Sequence, residues 1–342
     1  MRDQVYSTLA ELYSDLDLEG SRDEASAFGY LRSASEWIEQ RLGNFIPYTE
    51  TRRIDGNGQK SLFLDVPLLS ATPTVTNDGT TLAATDFLLY PRDRHWPNGP
   101  YTRITVDPDA SGLAVWLRER DAVTIAGKWG KYDESVSLGI TVENATQQAA
   151  ADAVLVVSNG GSISPGMVLL IESEQELVTG YSGTGTDSAL TVNGAHANNV
   201  DVILLSGATI NPGEVIRIVN EQMYVDRMEG NSVLVRRGWN GTTRAAIVTG
   251  AQAFVYRTFA VKRGIHGTTA ADHTNGTAIS RYFPPSQVNF LARQISAIML
   301  KKAKTGFAGK VATIGTGGGE EIFYFNEFPK SVYEEIRKNF RC

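Results

Sequence analysis

Histidines, paired carboxylates, one glycine-rich loop and two arginine-bearing repeats are the residues of this chain whose types could do chemistry. The histidines are His95, His196, His266 and His273. No two of them stand four residues apart, the spacing that sets two imidazoles on one helix face around a zinc ion. The one cysteine, Cys342, cannot make a disulfide within the chain or a thiolate pair for a metal. Asp107 with Asp109, and Glu320 with Glu321, are carboxylate pairs of the kind that acid–base hydrolysis needs, but their sequence positions do not set a working separation. Solvated turns account for them, and a hydrolase is the last of the readings considered. Gly315–Gly319 lacks the Lys-Ser/Thr of a phosphate-binding loop and reads as a hinge. The expectation is a protein without catalytic residues, metal or cofactor.

The repeats are more specific. Arg237-Gly-Trp-Asn-Gly-Thr-Thr243 returns as Arg263-Gly-Ile-His-Gly-Thr-Thr269, and Gly250 returns as Gly276, all at an offset of 26. Ile163-Ser-Pro-Gly166 returns as Ile210-Asn-Pro-Gly213, and Glu174-Gln175 as Glu221-Gln222, all at an offset of 47. A shared offset across separated motifs marks copied structural units. Glycine admits the positive φ of a tight turn, so the copies read as equivalent turns of one β architecture. Arg237 and Arg263 could instead meet a partner carboxylate. Trp239 sits in such a turn, where an exposed indole suits an interface or a sugar platform.

Several elements must position these turns. Ser21–Glu24 fits a capping box, and Ala27, Leu31, Ala34, Trp37, Ile38 and Leu42 form one apolar stripe up to Gly43, which predicts a helix over about 22–42. Val5, Leu9, Leu12 and Tyr13 suggest a shorter helix beside it. Strand-like runs follow at 61–66, 87–90, 101–106 and 122–126, with a turn at Asn77–Gly79. From 140 to 282, short strands alternate with Gly, Asn and Pro, as in an all-β sandwich or barrel. Pro284-Pro285 opens a helix whose stripe is Val288, Leu291, Ile295, Ile298 and Met299. Lys301, Lys302 and Lys304 fall in its last turn, where they complement the helix dipole. Val332, Ile336 and Phe340 predict a last helix over about 330–340. Trp37, Trp116 and Trp129 read as core, and Trp96 as exposed.

The 342 residues suffice for two or three domains with cores of their own. A composition of 42% apolar and 20% charged residues excludes a disordered or collagen-like chain. Met1–Tyr6 lacks the apolar run of a secretory signal and no run of about 20 apolar residues occurs, so a soluble, cytoplasmically synthesised protein without membrane contact is expected. The net charge of −6 argues against a dedicated DNA binder, though not against a wall that DNA slides past.

Ala34-Ser-Glu-Trp-Ile-Glu39 with Leu42-Gly-Asn-Phe45, then Leu62–Leu69, Phe87 and Val123–Gly130, resembles the N-terminal half of tailed-bacteriophage head–tail connector (adaptor) proteins. Pro285 opening a long helix, a loop, and Val332–Phe340 as a terminal helix are similar to the C-terminal half of that family. The resemblance covers about half the chain. It implies an α+β fold: a helical adaptor core built from both chain ends (1–139 and 283–342) with a small β unit. The all-β repeat domain at 140–282, sandwich-like or barrel-like, would be an insertion outside the family pattern. It further implies a structural virion protein of the neck, a homo-oligomeric ring of about twelve copies between the portal protein and other neck or tail proteins. Genomic DNA would pass along its channel wall without sequence specificity. Val332, Tyr333, Ile336, Arg337 and Phe340 are then candidates for the portal or neighbour interface, and Lys301, Lys302 and Lys304 for the DNA channel. The alternative is a tail- or surface-associated carbohydrate-binding β protein using Trp239, Arg237 and Arg263.

Overall fold

The computed structural model describes residues 3–16, 24–92, 100–107, 109, 113–145, 147–183, 185–207, 210–304, 310–314, 320–324 and 330–339. Four helices lie among them: α1 (Leu9–Leu16), α2 (Glu24–Leu42), α3 (Ser286–Lys304) and α4 (Lys330–Asn339). The helix expected from about residue 22 is α2, and Gly43 ends it in the left-handed conformation, φ 84°. Ser21 to Asp23, the start of the capping box, lie outside the described residues. The two prolines open α3 as expected: the Asn289 amide donates to the Pro285 carbonyl at 3.0 Å.

A first antiparallel sheet follows α2, with β1 (Tyr48–Ile54), β2 (Ser61–Leu68), β3 (Thr74–Asn77), β4 (Thr80–Thr81), β5 (Phe87–Tyr90), β6 (Tyr101–Val106) and β7 (Val123–Trp129). Its main path is β4-β3-β7-β2-β6-β5, and β1 also pairs with β7. It has an apolar core of its own in which Trp116 and Trp129 are fully buried.

The expectation of a helical core is therefore corrected. The protein is mostly β, about 40% strand against 20% helix, so the helices form a minor layer beside three β cores. The apolar stripes of α2 and α3 run over 19 residues each and are read directly from their spacing. The strands are short and carry single alternations, so their sum is easily underweighted.

Residues 135–282 hold two β units. One comprises β8 (Ser135–Thr141), β9 (Gln147–Gln148), β10 (Val154–Val156), β11 (Val168–Ile171), β12 (Glu174–Tyr181) and, much later, β19 (Thr258–Lys262), β20 (His273–Thr274) and β21 (Ala278–Tyr282). The other comprises β13 (Thr186–Val192), β14 (Val202–Ser206), β15 (Val215–Ile218), β16 (Glu221–Glu229), β17 (Ser232–Trp239) and β18 (Gln252–Val255), and closes as the barrel β13-β14-β17-β16-β15-β18. The first unit runs β10-β19-β12-β11-β21-β8, and a bridge from Val142 to Val157 joins its two ends. The cyclic order of the two units is thus the same.

Their registers also agree. Val168 opposite Leu177 becomes Val215 opposite Tyr224, and Leu177 opposite Lys262 becomes Tyr224 opposite Arg236. A β-bulge falls between Val178 and Gly180 in one and at the matching Val225 and Arg227 in the other. Six backbone signatures with positive φ match as well, including the non-glycine pairs Glu172 with Val219 and His266 with Asn240. The middle of the chain is therefore one barrel duplicated, with the inner copy inserted into the β12–β19 hairpin of the outer copy. This nesting explains why the offset is 47 before the insertion and 26, in the opposite sense, after it.

The joint between copies is close. A Cβ on Gly160 would lie 2.2 Å from the Tyr256 carbonyl oxygen, and one on Gly161 2.6 Å from that of Pro212. The buried Glu214 carboxylate accepts from Arg257 Nε at 2.6 Å and from the Gly160 amide at 2.9 Å, tying inner to outer copy.

The helices pack on the outer copy. Leu31, Ile38, Val288, Leu291 and Ile336 form one core with Leu177 and Ile265. Gln175 Nε2 donates to the Pro47 carbonyl at 2.9 Å, and a Cβ on Gly267 would lie 1.9 Å from the Thr49 carbonyl oxygen. β22 (Lys310–Ile314) and β23 (Glu320–Tyr324) form a separate hairpin. No described helix is long and apolar enough to cross a membrane.

Candidate functional site

The two repeated arginines are the centres of two matching polar sites. In the inner copy Arg237 Nε donates to Glu221 Oε1 at 2.7 Å and Nη2 to Oε2 at 2.6 Å. The Gly238 and Ala245 amides donate to the same two oxygens at 2.9 Å each. The remaining guanidinium hydrogens go to the Ala197, Val200 and Ala245 carbonyls. Both side chains are withdrawn from water, at 0% and 1% exposure. Burial alone would raise the Glu221 pKa, but the arginine and the two amides outweigh it and hold the carboxyl below its ordinary range.

The outer copy repeats the design atom for atom. Arg263 is bidentate to Glu174 at 2.8 and 2.7 Å, the Gly264 and Ala271 amides complete the carboxylate, and the Ala149 and Ala271 carbonyls take guanidinium hydrogens. Each repeated Thr also serves its turn: the Gln175 amide donates to Thr268 Oγ1, and the Gln222 amide to Thr242 Oγ1, both at 3.0 Å. Beside their reading as turn markers, Arg237 and Arg263 were candidates for exposed recognition residues. The structure corrects that expectation, because each is internal and holds its long tip loop against the strand that carries its glutamate.

At two matched core positions the outer copy carries an ionisable residue in place of an apolar one. Where the inner copy has the fully buried Met223 and the buried Ile247, the outer has Glu176 and His273, both at 0% exposure. His273 Nε2 lies 2.9 Å from Glu174 Oε2 and 3.8 Å from Glu176 Oε1. Gln148 Nε2 donates to Glu176 Oε2 at 3.3 Å. Burial raises the Glu176 pKa to about 7 despite Arg263 and Gln148, which favour its charged form. Glu174, Glu176 and His273 present ligand atoms within 4.8 Å of one another, a set that could hold a metal ion. The Arg263 guanidinium already occupies both Glu174 oxygens, however, and brings Nε to 2.8 Å from Glu176. A cation there would have to displace a bidentate arginine, so the cluster reads as an extended charge lock.

The other expected residues are distributed as follows. Ile336 is fully buried in the helical core and Tyr333 packs there with its ring 5.6 Å from that of Trp37. Ile336 seats α4, which corrects its assignment to a partner interface, whereas Tyr333 is half-buried beside it. Arg337 is exposed, 3.8 Å from Glu334. Val332 belongs to α4, its side chain being outside the description, and Phe340 lies outside the described residues. Lys301 and Lys302 lie in the last turn of α3, and Lys304 is its last residue. His95 and Trp96 fall outside the described residues, as do Gly315–Gly319. His266 Nδ1 meets Gln175 Oε1 at 2.7 Å, and His196 Nε2 the Asn193 carbonyl at 3.2 Å, both in loop-fixing roles.

Trp239 is half-buried at the tip of β17. It lines a cleft of about 150 Å³ between α1 and the two barrels, with Tyr13, Tyr181, Tyr224 and Asn240. The Trp239 and Tyr224 rings lie 4.8 Å apart. Sequence reasoning noted the Glu-Gln pairs but did not join them to the arginines. The signal was present: offsets of 47 and 26 on the two sides of one insertion pair each glutamate with its own arginine.

The chain matches no protein-family model and no curated protein sequence.

Proposed function

We propose that this chain is a structural component of a tailed-phage neck, a head–tail connector that assembles as a ring of identical copies between portal and tail. The observation that supports the reading is the closure of the chain on itself. α2 from the N-terminal part and α3 and α4 from the C-terminal part share one core, and Asn289 Nδ2 donates to the Tyr6 carbonyl at 3.0 Å across that join. This join of both chain ends is packed into one core with the outer barrel through Leu177 and Ile265, an arrangement suited to assembly contacts. In this reading the body contacts portal and neighbouring copies, the last turn of α3 with Lys301 and Lys302 lies toward the DNA path, and the barrels point away from the axis. Head-to-tail contacts between copies close into a ring when the rotation per copy allows, and many weak contacts then add by avidity.

The test is reconstitution. Purified chain mixed with the portal protein of the same phage should co-sediment and give rings in electron micrographs. Failure to bind portal, isolated or within emptied capsids, would sink the proposal.

A further inference from the structure

We infer that the cleft beside Trp239 binds one pyranose ring of a saccharide. The inference stands apart from the neck assignment and rests on the comparison of the two copies. In the outer copy the matching face carries Leu177 and Ile265, and both are buried in the helical core. The fold of the barrel is therefore satisfied by aliphatic side chains at these two positions. The inner copy places Tyr224 and Trp239 there, half-buried and packed against each other with ring planes tilted by 32°, facing a cleft instead of a sealed core.

The polar atoms of this pair are uncommitted. Among the described residues the Trp239 indole N–H and the Tyr224 hydroxyl take no protein partner. Asn240 uses its Nδ2 to donate to Gln222 Oε1 at 2.7 Å, leaving its own carbonyl oxygen unpartnered. A donor, a hydroxyl that does both and an acceptor thus surround an aromatic plate. Ligand sites combine apolar walls with a few placed polar groups, and a volume of about 150 Å³ is well below that of a drug-sized pocket. A pyranose fits both features: its C–H face lies on the aromatic rings and its equatorial hydroxyls supply the hydrogen bonds. The outer copy's precedent would favour a protein segment, but here α1 already closes the opposite wall through Leu9 and Tyr13, leaving ring-sized space.

The test uses the whole chain and saturation-transfer NMR with D-glucose, D-galactose, L-rhamnose, N-acetyl-D-glucosamine and their short oligomers. Trp239→Ile and Tyr224→Leu install the residues that the outer copy carries at these positions, so the barrel retains its fold, which near-native circular dichroism checks. At least one sugar should receive saturation through its ring protons, and each variant should weaken it by more than about tenfold. Absence of transfer to every sugar overturns the inference, as does unchanged binding by Trp239→Ile. A peptide of residues 44–49, which contains the Pro47 and Thr49 carbonyls that the outer copy holds, is the competing probe. Its binding at Trp239 without any sugar binding would make this a protein-docking face and also overturn the inference. None of these outcomes bears on portal binding.

Discussion

Replacing Glu221 by Gln should unfold the inner barrel preferentially, and the size of the effect follows from the geometry. Each carboxylate oxygen accepts one guanidinium hydrogen and one backbone amide: Oε1 from Arg237 Nε and Gly238, Oε2 from Arg237 Nη2 and Ala245. Whichever way the new amide turns, its NH₂ faces two donors that lose their acceptor, and Arg237 keeps a buried charge with no counter-ion. An orphaned donor costs about 1–3 kcal/mol and a broken buried pair about 3–5 kcal/mol. A loss of about 3 kcal/mol, roughly 150-fold in the local opening equilibrium, is the expected result. The effect should be local because the inner barrel closes on itself and enters the outer copy only between Tyr181 and Thr258. Lengthening that connection by unfolding it costs the outer copy little, since loop entropy grows only with the logarithm of length. Hydrogen exchange read by mass spectrometry should show protection falling across 186–255 while β11, β12 and β21 stay protected. Trp239 fluorescence should report the same early transition under denaturant. A loss below about 1 kcal/mol, or equal loss in both copies, would refute the reasoning.

Two further perturbations test other parts of the account. Glu176 has a folded-state pKa raised to about 7 from 4.5, so the folded state binds its proton more tightly. Its contribution is intact below the ordinary glutamate range and is lost as pH rises through about 7, a change of about 3 kcal/mol. Glu176→Met, the residue of the inner copy, should remove this dependence, so that denaturation midpoints of variant and wild type diverge from pH 5 to pH 8. A pH-independent difference would show that the ionisation of Glu176, facing Arg263, Glu174 and His273, is not coupled to folding. Ile336→Ala empties a fully buried site and should cost about 2–5 kcal/mol. Exchange protection should fall in α4 and the adjoining turns of α3 and remain in the inner barrel. Global loss would contradict the picture of α4 as a locally seated cap.

Much of the fold was legible where a residue has one structural job. Gly43 ends α2, Pro285 opens α3, and Asp78 and Gly79 both take positive φ at the expected turn. The repeats announced a β array, and their offsets contain its nesting. What the sequence concealed was the balance between layers, because the strands from Tyr48 to Trp129 gather a core from single residues such as Val75, Ile104 and Ile125 that no local period groups. The arginines were misread for a related reason. A charged residue in a Gly-rich turn is usually solvated, and only the partner 16 residues away in one copy and 89 in the other reveals that it is buried. Ile336 was read as an interface residue because an amphipathic helix shows its apolar face without showing what covers it.

The proposed neck role is tested most directly by cryo-electron microscopy of intact assembled particles from the source of this chain. The account predicts a ring of copies between portal and tail, with the body of α2, α3 and the first sheet toward the axis and the paired barrels outward. Density for the chain at the tail tip or on the capsid surface, with none in the neck, would contradict it.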